Sequence, residues 1–295
     1  MRVQAHSSAK LILSGEHSVV YGYPALATVT NLKTTTSFAQ QQSVGPSSVF
    51  ITQIINIFYS SYPEYSAKKA YLTKVLSTIP IGCGLGSSAA LACSLFRSLA
   101  KFHKTTLPSN ELISLIQMSE TIAHGKPSGV DATTVALNKT LMFKKNIATS
   151  EYAYQEVPNT ILKKSSFFLI NSGTPQESTK EMDELVADAV KVHPRKMKTI
   201  LRDIGTLTES IVGDVANNSF VPEKLSQNQR LLESLGVVGE EATRMILAIE
   251  KIGGFAKTTG AGGVENGSGM ILAYHPQKSL LDQLARTNDW KFYQH

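Results

Sequence analysis

Residues 80–90 read Pro80-Ile81-Gly82-Cys83-Gly84-Leu85-Gly86-Ser87-Ser88-Ala89-Ala90. Three glycines alternate with larger residues and two serines follow at once. The spacing of Leu91, Leu95, Leu99 and Phe102 predicts a helix over Ser87–Lys101. A glycine-rich loop that runs into a helix start is a ready anion site. Glycine lets the backbone approach a phosphate closely, and the free N–H groups and positive dipole end of the helix point at it. A serine hydroxyl placed there can also ligate the magnesium that accompanies a nucleotide triphosphate. The loop is not a Walker A motif, because Gly86 rather than lysine precedes Ser87. Nor does Gly82-x-Gly84-x-Gly86 have the Rossmann spacing. A ligand-free glycine turn stays open on this loop alone.

The rest of the chain bounds what the loop can belong to. Its 295 residues suffice for two domains, and 42% hydrophobic against 18% charged residues places it among globular proteins. It has no apolar run of membrane-spanning length, and its first residues lack a signal-peptide core, so a cytoplasmic location is expected. The net charge of +6 is carried by scattered lysines with no aromatic interleaving, which disfavours nucleic acid and leaves an anionic small molecule or simple solubility. Cys83 and Cys93 fit neither a zinc spacing nor a disulfide framework, and the histidines do not cluster.

Apolar runs at Ala9–Leu13, Ala25–Thr30, Val135–Lys144, Ser165–Asn171, Phe255–Thr259 and Met270–Tyr274 predict strands. Helical spacing is read over Val49–Tyr59, Ala67–Ser77, Asn110–His124 (capped by Ser109), Pro175–His193, Arg195–Asn217, Leu225–Leu235 and Glu240–Ile252. Gln40–Ser48 reads as a loop. The mixed order favours an α+β fold, with a domain boundary near residues 158–166.

Three further segments stand out. Lys10 lies inside the apolar run Ala9–Leu13, where a charge must be paired, either structurally or for catalysis; Glu16 and His17 follow beside Gly15. Glu120 falls at the negative end of its helix and needs a compensating cation, magnesium or lysine. It precedes His124-Gly125-Lys126-Pro127-Ser128-Gly129-Val130-Asp131, where Asp131 by itself reads equally as a helix cap. Finally, Lys257–Gly269 holds five glycines within residues 260–269, consistent with close backbone approach to a ligand or with a loose hairpin.

Taken together these segments resemble the GHMP family of small-molecule kinases, whose three signatures occur in order as Ala9–His17 with Tyr21-Gly22, Pro80–Ala90 and Lys257–Gly263. The resemblance spans residues 9 to about 274. Gly15-Glu16-His17, His124–Asp131 and Ser178-Thr179-Lys180 look like the branch that phosphorylates mevalonate more than those acting on homoserine, galactose or phosphomevalonate. The resemblance implies a two-domain α+β kinase. Residues 1–162 would form the ATP-binding domain, similar to ribosomal protein S5 domain 2 with a left-handed crossover against the usual rule. Residues 163–295 would form a ferredoxin-like domain.

Carried over by the same resemblance, Asp131 and Lys10 would be catalytic, and Ser88 and Glu120 would hold Mg²⁺. Pro80, Gly82, Gly84, Leu85, Gly86, Ser87, Ser88 and Ala89 would cradle ATP. Lys10, Glu16, His17, Asp131, Thr179, Gly260, Ala261 and Gly262 would meet the substrate. The resemblance implies transfer of the γ-phosphoryl of ATP to the C5 hydroxyl of (R)-mevalonate. The loose transition state leaves the protein mostly positioning and charge neutralisation to do. A carboxylate is too weak a base to deprotonate a free alcohol outright, so proton transfer to Asp131 would be late. The third signature departs from the family pattern at Val264-Glu265-Asn266, where Glu265 would repel a triphosphate unless turned outward, and no role is assigned beyond Gly263. Alternatives are another kinase of the family, acting on phosphomevalonate or at the 3-position of mevalonate, the related diphosphomevalonate decarboxylase, and a non-catalytic nucleotide sensor. The sequence leaves the oligomeric state open, a homodimer included.

Overall fold

The computed structural model describes residues 2–40, 48–67, 70–125, 127–149, 151–158 and 167–294. They divide into two compact units. The first comprises the chain up to Lys10, Val29–Ile81 and Gly86–Lys139; the second comprises Leu11–Thr28, Gly82–Leu85 and the chain from Thr140. The chain thus changes unit within its first two strands, β1 (Arg2–Ser14) and β2 (Pro24–Ala39), and again within the glycine loop. The expected boundary at 158–166, most of the Gln40–Ser48 loop and Lys126 lie outside the described residues.

In the first unit β2 pairs antiparallel with β3 (Tyr71–Ser77), from Thr34 opposite Ser77 to Ala39 opposite Tyr71. Helices α1 (Val49–Ser61), α2 (Ser87–His103), α3 (Ser109–His124) and α4 (Val130–Leu137) complete it. Its core joins Phe38 of β2 and Phe58 of α1 to Ala89, Cys93, Phe96 and Leu99, the apolar stripe of α2. Helix α2 begins at Gly86, a cap position with φ 64°, which only glycine takes up without strain.

In the second unit Pro24–Ala27 of β2 pair antiparallel with β4 (Leu141–Lys145), and β4 pairs with β5 (Tyr152–Glu156). A separate antiparallel sheet has the order β7 (Phe255–Thr259), β8 (Met270–Tyr274), β6 (Phe167–Asn171), β9 (Phe292–Gln294). Helices α8 (Glu240–Lys251) and α9 (Lys278–Thr287) cover it through Ile246, Ile249 and Leu281 against Ile170 and Ile271. Helices α5 (Thr179–Val192), α6 (Pro194–Ala216) and α7 (Glu223–Leu235) pack together around Met182, Ile204 and Leu232.

The mixed helix-and-sheet class is as expected, and four local readings are corrected. Ala67–Ser77 was expected to be helical, but Tyr71–Ser77 is strand β3: its Tyr, Thr and Val residues suit a pleated surface, and β2 offers the backbone partners. Val135–Lys144 was expected to be one strand, yet Val130–Leu137 is a buried helix ended by Asn138 at φ 55°, and the strand starts only at Leu141. A short buried helix is apolar all round and reads like a strand. Ser109 is the first helical residue rather than the cap, a position held by Pro108. Helix α5 starts at Thr179, not Pro175, because Ser178 and Glu181 close a capping box there. Among the described residues no helix is long and apolar enough to cross a membrane.

Candidate active site

The first unit gathers four of the expected catalytic and metal residues. Lys10, 5% exposed near the middle of β1, places its Nζ 3.1 Å from Asp131 Oδ1. Asp131 is not a cap: Gly129 holds that position, and Asp131 points from the first turn of α4 to the lysine. The turn before it is tied to α3 by Gln117 Nε2, which donates to the Pro127 carbonyl at 3.0 Å. One helical turn beyond Gln117 lies Glu120. A Cβ on Gly86 would fall 2.8 Å from Lys10 Cγ and 3.1 Å from Asp131 Oδ2, so the glycine lets the start of α2 rest on the ion pair.

Glu120 is 2% exposed, and its Oε1 has no hydrogen-bond partner. Burial first, and then the Asp131 carboxylate, push its pKa up to about 7 against the weaker pull of Ser88 and Lys10. The remaining oxygen, Oε2, lies 3.9 Å from His124 Nε2, which is itself 3.3 Å from Ser88 Oγ. A buried carboxylate oxygen with no donor, beside a serine hydroxyl, fits a hard cation such as Mg²⁺. That ion takes oxygen ligands and needs only one or two carboxylates when phosphates and water complete its shell. The described residues contain no cluster of three His, Cys, Asp or Glu side chains, so a soft or all-protein metal site is not what these residues offer.

The second unit gathers the remaining segments. Gly82 and Gly84 have φ of 73° and 78°, and a Cβ on Gly84 would lie 2.9 Å from the Thr259 carbonyl. The Met270 N–H donates to the Cys83 carbonyl at 3.2 Å. The first half of the 80–90 loop is therefore seated on the third signature. Glu16 is buried in an ion pair with the fully buried Lys257, whose Nζ also donates to the Ile12 carbonyl at 3.4 Å. Asn228 Nδ2 donates to the other Glu16 oxygen at 3.4 Å. His17 Nδ1 lies 3.1 Å from Asp183 Oδ1, and its Nε2 lies 3.0 Å from the Ala261 carbonyl. Thr179 is exposed at the first position of α5. Gly260 and Gly262 flank Ala261 at φ 91° and 76°.

A family model, the GHMP kinases N terminal domain, matches residues 50–139. The mevalonate kinase of Archaeoglobus fulgidus is 29% identical over 94% of this chain and 95% of its own. The crystal structure of the Methanococcus jannaschii mevalonate kinase has the same fold, with a TM-score of 0.79 at 21% identity over 100% of this chain and 98% of that one. The L. major mevalonate kinase, determined in complex with R-mevalonate, gives a TM-score of 0.79 at 16% identity over 96% and 90% of the two chains. Residues 50–139 thus match the N-terminal domain of the GHMP kinases, and the chain is similar over most of its length to mevalonate kinases.

The divergent Val264-Glu265-Asn266 segment is exposed. The N–H groups of Val264 and Glu265 both donate to Glu177 Oε1 at 3.1 Å, which fixes the segment as a surface turn. Sequence reasoning gave no role to Lys257, His124 or Asp183. Lys257 was quoted only as the start of a signature, and its ion pair with Glu16 joins residues 241 apart in sequence. Asp183 had one local signal: it lies four residues after Thr179, hence on the same face of α5.

Proposed function

We propose that this chain transfers the γ-phosphoryl group of ATP to the C5 hydroxyl of (R)-mevalonate, giving ADP and 5-phosphomevalonate on the mevalonate route to isoprenoids. One observation carries the reading: the buried Lys10 is paired with Asp131 at the start of α2, beside a Glu120 oxygen that lacks a partner. The similarity to the mevalonate kinase of Archaeoglobus fulgidus over most of both chains supports the substrate.

In this reading Asp131 orients the C5 hydroxyl and accepts its proton as the new O–P bond forms and the bond from the γ-phosphorus to the bridging oxygen of ADP breaks. Lys10 holds the carboxylate in place and offsets charge on the attacking oxygen. Ser88 and Glu120 would hold Mg²⁺, which would supply charge neutralisation for the triphosphate. Pro80, Gly82, Gly84, Leu85, Gly86, Ser87, Ser88 and Ala89 are assigned to the triphosphate, with the backbone N–H groups at the start of α2 as donors. By the family resemblance Lys10 and Asp131 of the first unit, and Glu16, His17, Thr179, Gly260, Ala261 and Gly262 of the second, are each assigned to substrate contact. Residues 1–162 are assigned to the family's nucleotide-binding domain and 163–295 to its C-terminal domain; the family match at 50–139 supports the first. A cytoplasmic enzyme, monomeric or a homodimer, suits a soluble, charged substrate.

The test is ADP release with mevalonate, phosphomevalonate, diphosphomevalonate, homoserine and galactose offered separately. Release with mevalonate alone is expected. Release only with phosphomevalonate would overturn the substrate assignment and leave the family standing.

A further inference from the structure

We propose that Asp183 and His17 fix the orientation of the Ala261–Gly262 peptide so that the Gly262 N–H is presented to an anionic oxygen of the reactants. This deepens the reading above and rests on it for the identity of the reactants.

His17 stands at φ 57°, a left-handed backbone that a bulky residue adopts only when its surroundings hold it there. Its side chain is 2% exposed. Two groups face the ring, the Asp183 carboxylate 3.1 Å from Nδ1 and the Ala261 carbonyl 3.0 Å from Nε2. The carboxylate holds the ring from α5, and the ring holds the loop.

The loop needs such a hold. It is anchored on one side by Thr259, whose hydroxyl donates to the Ile12 carbonyl at 2.9 Å. On the other side the Gly263 N–H donates to the Val237 carbonyl at 3.1 Å. Between these anchors Ala261 is flanked by two glycines at positive φ, and a peptide in such a setting turns over at little steric cost. A trans peptide points its carbonyl and its N–H in opposite directions. With the Ala261 carbonyl bound to His17, the Gly262 N–H must point away from the ring. Were the peptide to flip, a carbonyl dipole would stand where that donor stood and would repel an anion. Asp183 therefore acts at a distance, as a positioning residue, and makes no contact with substrate.

Asp183 is 44% exposed on the surface of α5, so its replacement leaves packing intact. The experiment compares Asp183→Ala with Asp183→Asn, whose amide can still hydrogen-bond Nδ1 as acceptor or donor. Hydrogen exchange by mass spectrometry is read on the peptide covering Phe255–Val264, together with steady-state kinetics. For Asp183→Ala, exchange in that peptide is expected to rise about tenfold, with α6 and α8 unchanged, and kcat/KM to fall about tenfold. Asp183→Asn is expected to stay within about threefold of wild type on both readings. A loss confined to kcat identifies the anionic oxygen as that of the transferring phosphoryl group, and a rise confined to the KM for mevalonate identifies it as the substrate carboxylate. Unchanged loop exchange in Asp183→Ala overturns the proposal, as does an Asn variant as impaired as the Ala variant. Should the wild type fail to turn over mevalonate, the function assigned above falls, while the exchange measurement still decides the latch.

Discussion

Replacing Glu120 by glutamine removes a carboxylate that the fold holds at a cost. Burial and the neighbouring Asp131 raise its pKa from 4.5 to about 7. The folded protein therefore binds a proton at Glu120 that the unfolded chain has already released, over the window between those two values. A group raised in this way contributes stability that is full below the lower value and is lost as pH rises through the higher one. With about 1.36 kcal/mol per unit, the ionised carboxylate costs the ligand-free fold about 3 kcal/mol at pH 8 and about 1 kcal/mol at pH 5. Glutamine is close in shape and does not titrate. Relative to wild type, Glu120→Gln should thus gain about 2 kcal/mol more stability at pH 8 than at pH 5. Urea unfolding in EDTA at several pH values, followed by circular dichroism, measures this directly. Adding Mg²⁺ with a non-hydrolysable ATP analogue should reverse the order, because the ligand stabilises the wild type by mass action and the variant much less. A stability gap that stays constant from pH 5 to pH 8 would refute the argument that an uncompensated carboxylate is stored there.

Asp131→Asn should lower kcat about 10²–10⁴-fold with little change in nucleotide affinity measured by equilibrium binding, and near-normal turnover would dismiss it as the base. Gly86→Ala forces a methyl group to 2.8 Å from Lys10 Cγ at a left-handed φ. It should cost about 1 kcal/mol or more in a thermal melt and lower kcat by displacing the Lys10–Asp131 pair; an active, equally stable variant would show the contact to be soft. Lys257→Met strands Glu16 in the interior and should cost about 3–5 kcal/mol in urea, most of it restored by adding Glu16→Leu. Additive losses in the double variant would mean that the two side chains act independently.

The glycine loop, the helix that follows it and Lys10 inside an apolar run were legible because each is a local pattern. Alternating glycines, helical spacing and a charge among aliphatic residues need no partner to be recognised. β3 and α4 were misread because short apolar segments are decided by what covers them: Tyr71–Ser77 becomes a strand when β2 supplies its hydrogen bonds, and Val130–Leu137 is a helix with most of its residues buried.

The site divides in the same way. By itself the sequence determined which residue types stand at the glycine turns and beside them, and so the chemistry available: an anion cradle, a base, a cation and oxygen ligands. Only the tertiary structure decided their pairing. It put Lys10 on Asp131 across 121 positions, left a Glu120 oxygen without a donor, turned Glu16 inward to Lys257, and set His17 between Asp183 and Ala261. A hydrogen bond or a desolvated charge is a property of two groups and their burial, and neither is written in a linear chain.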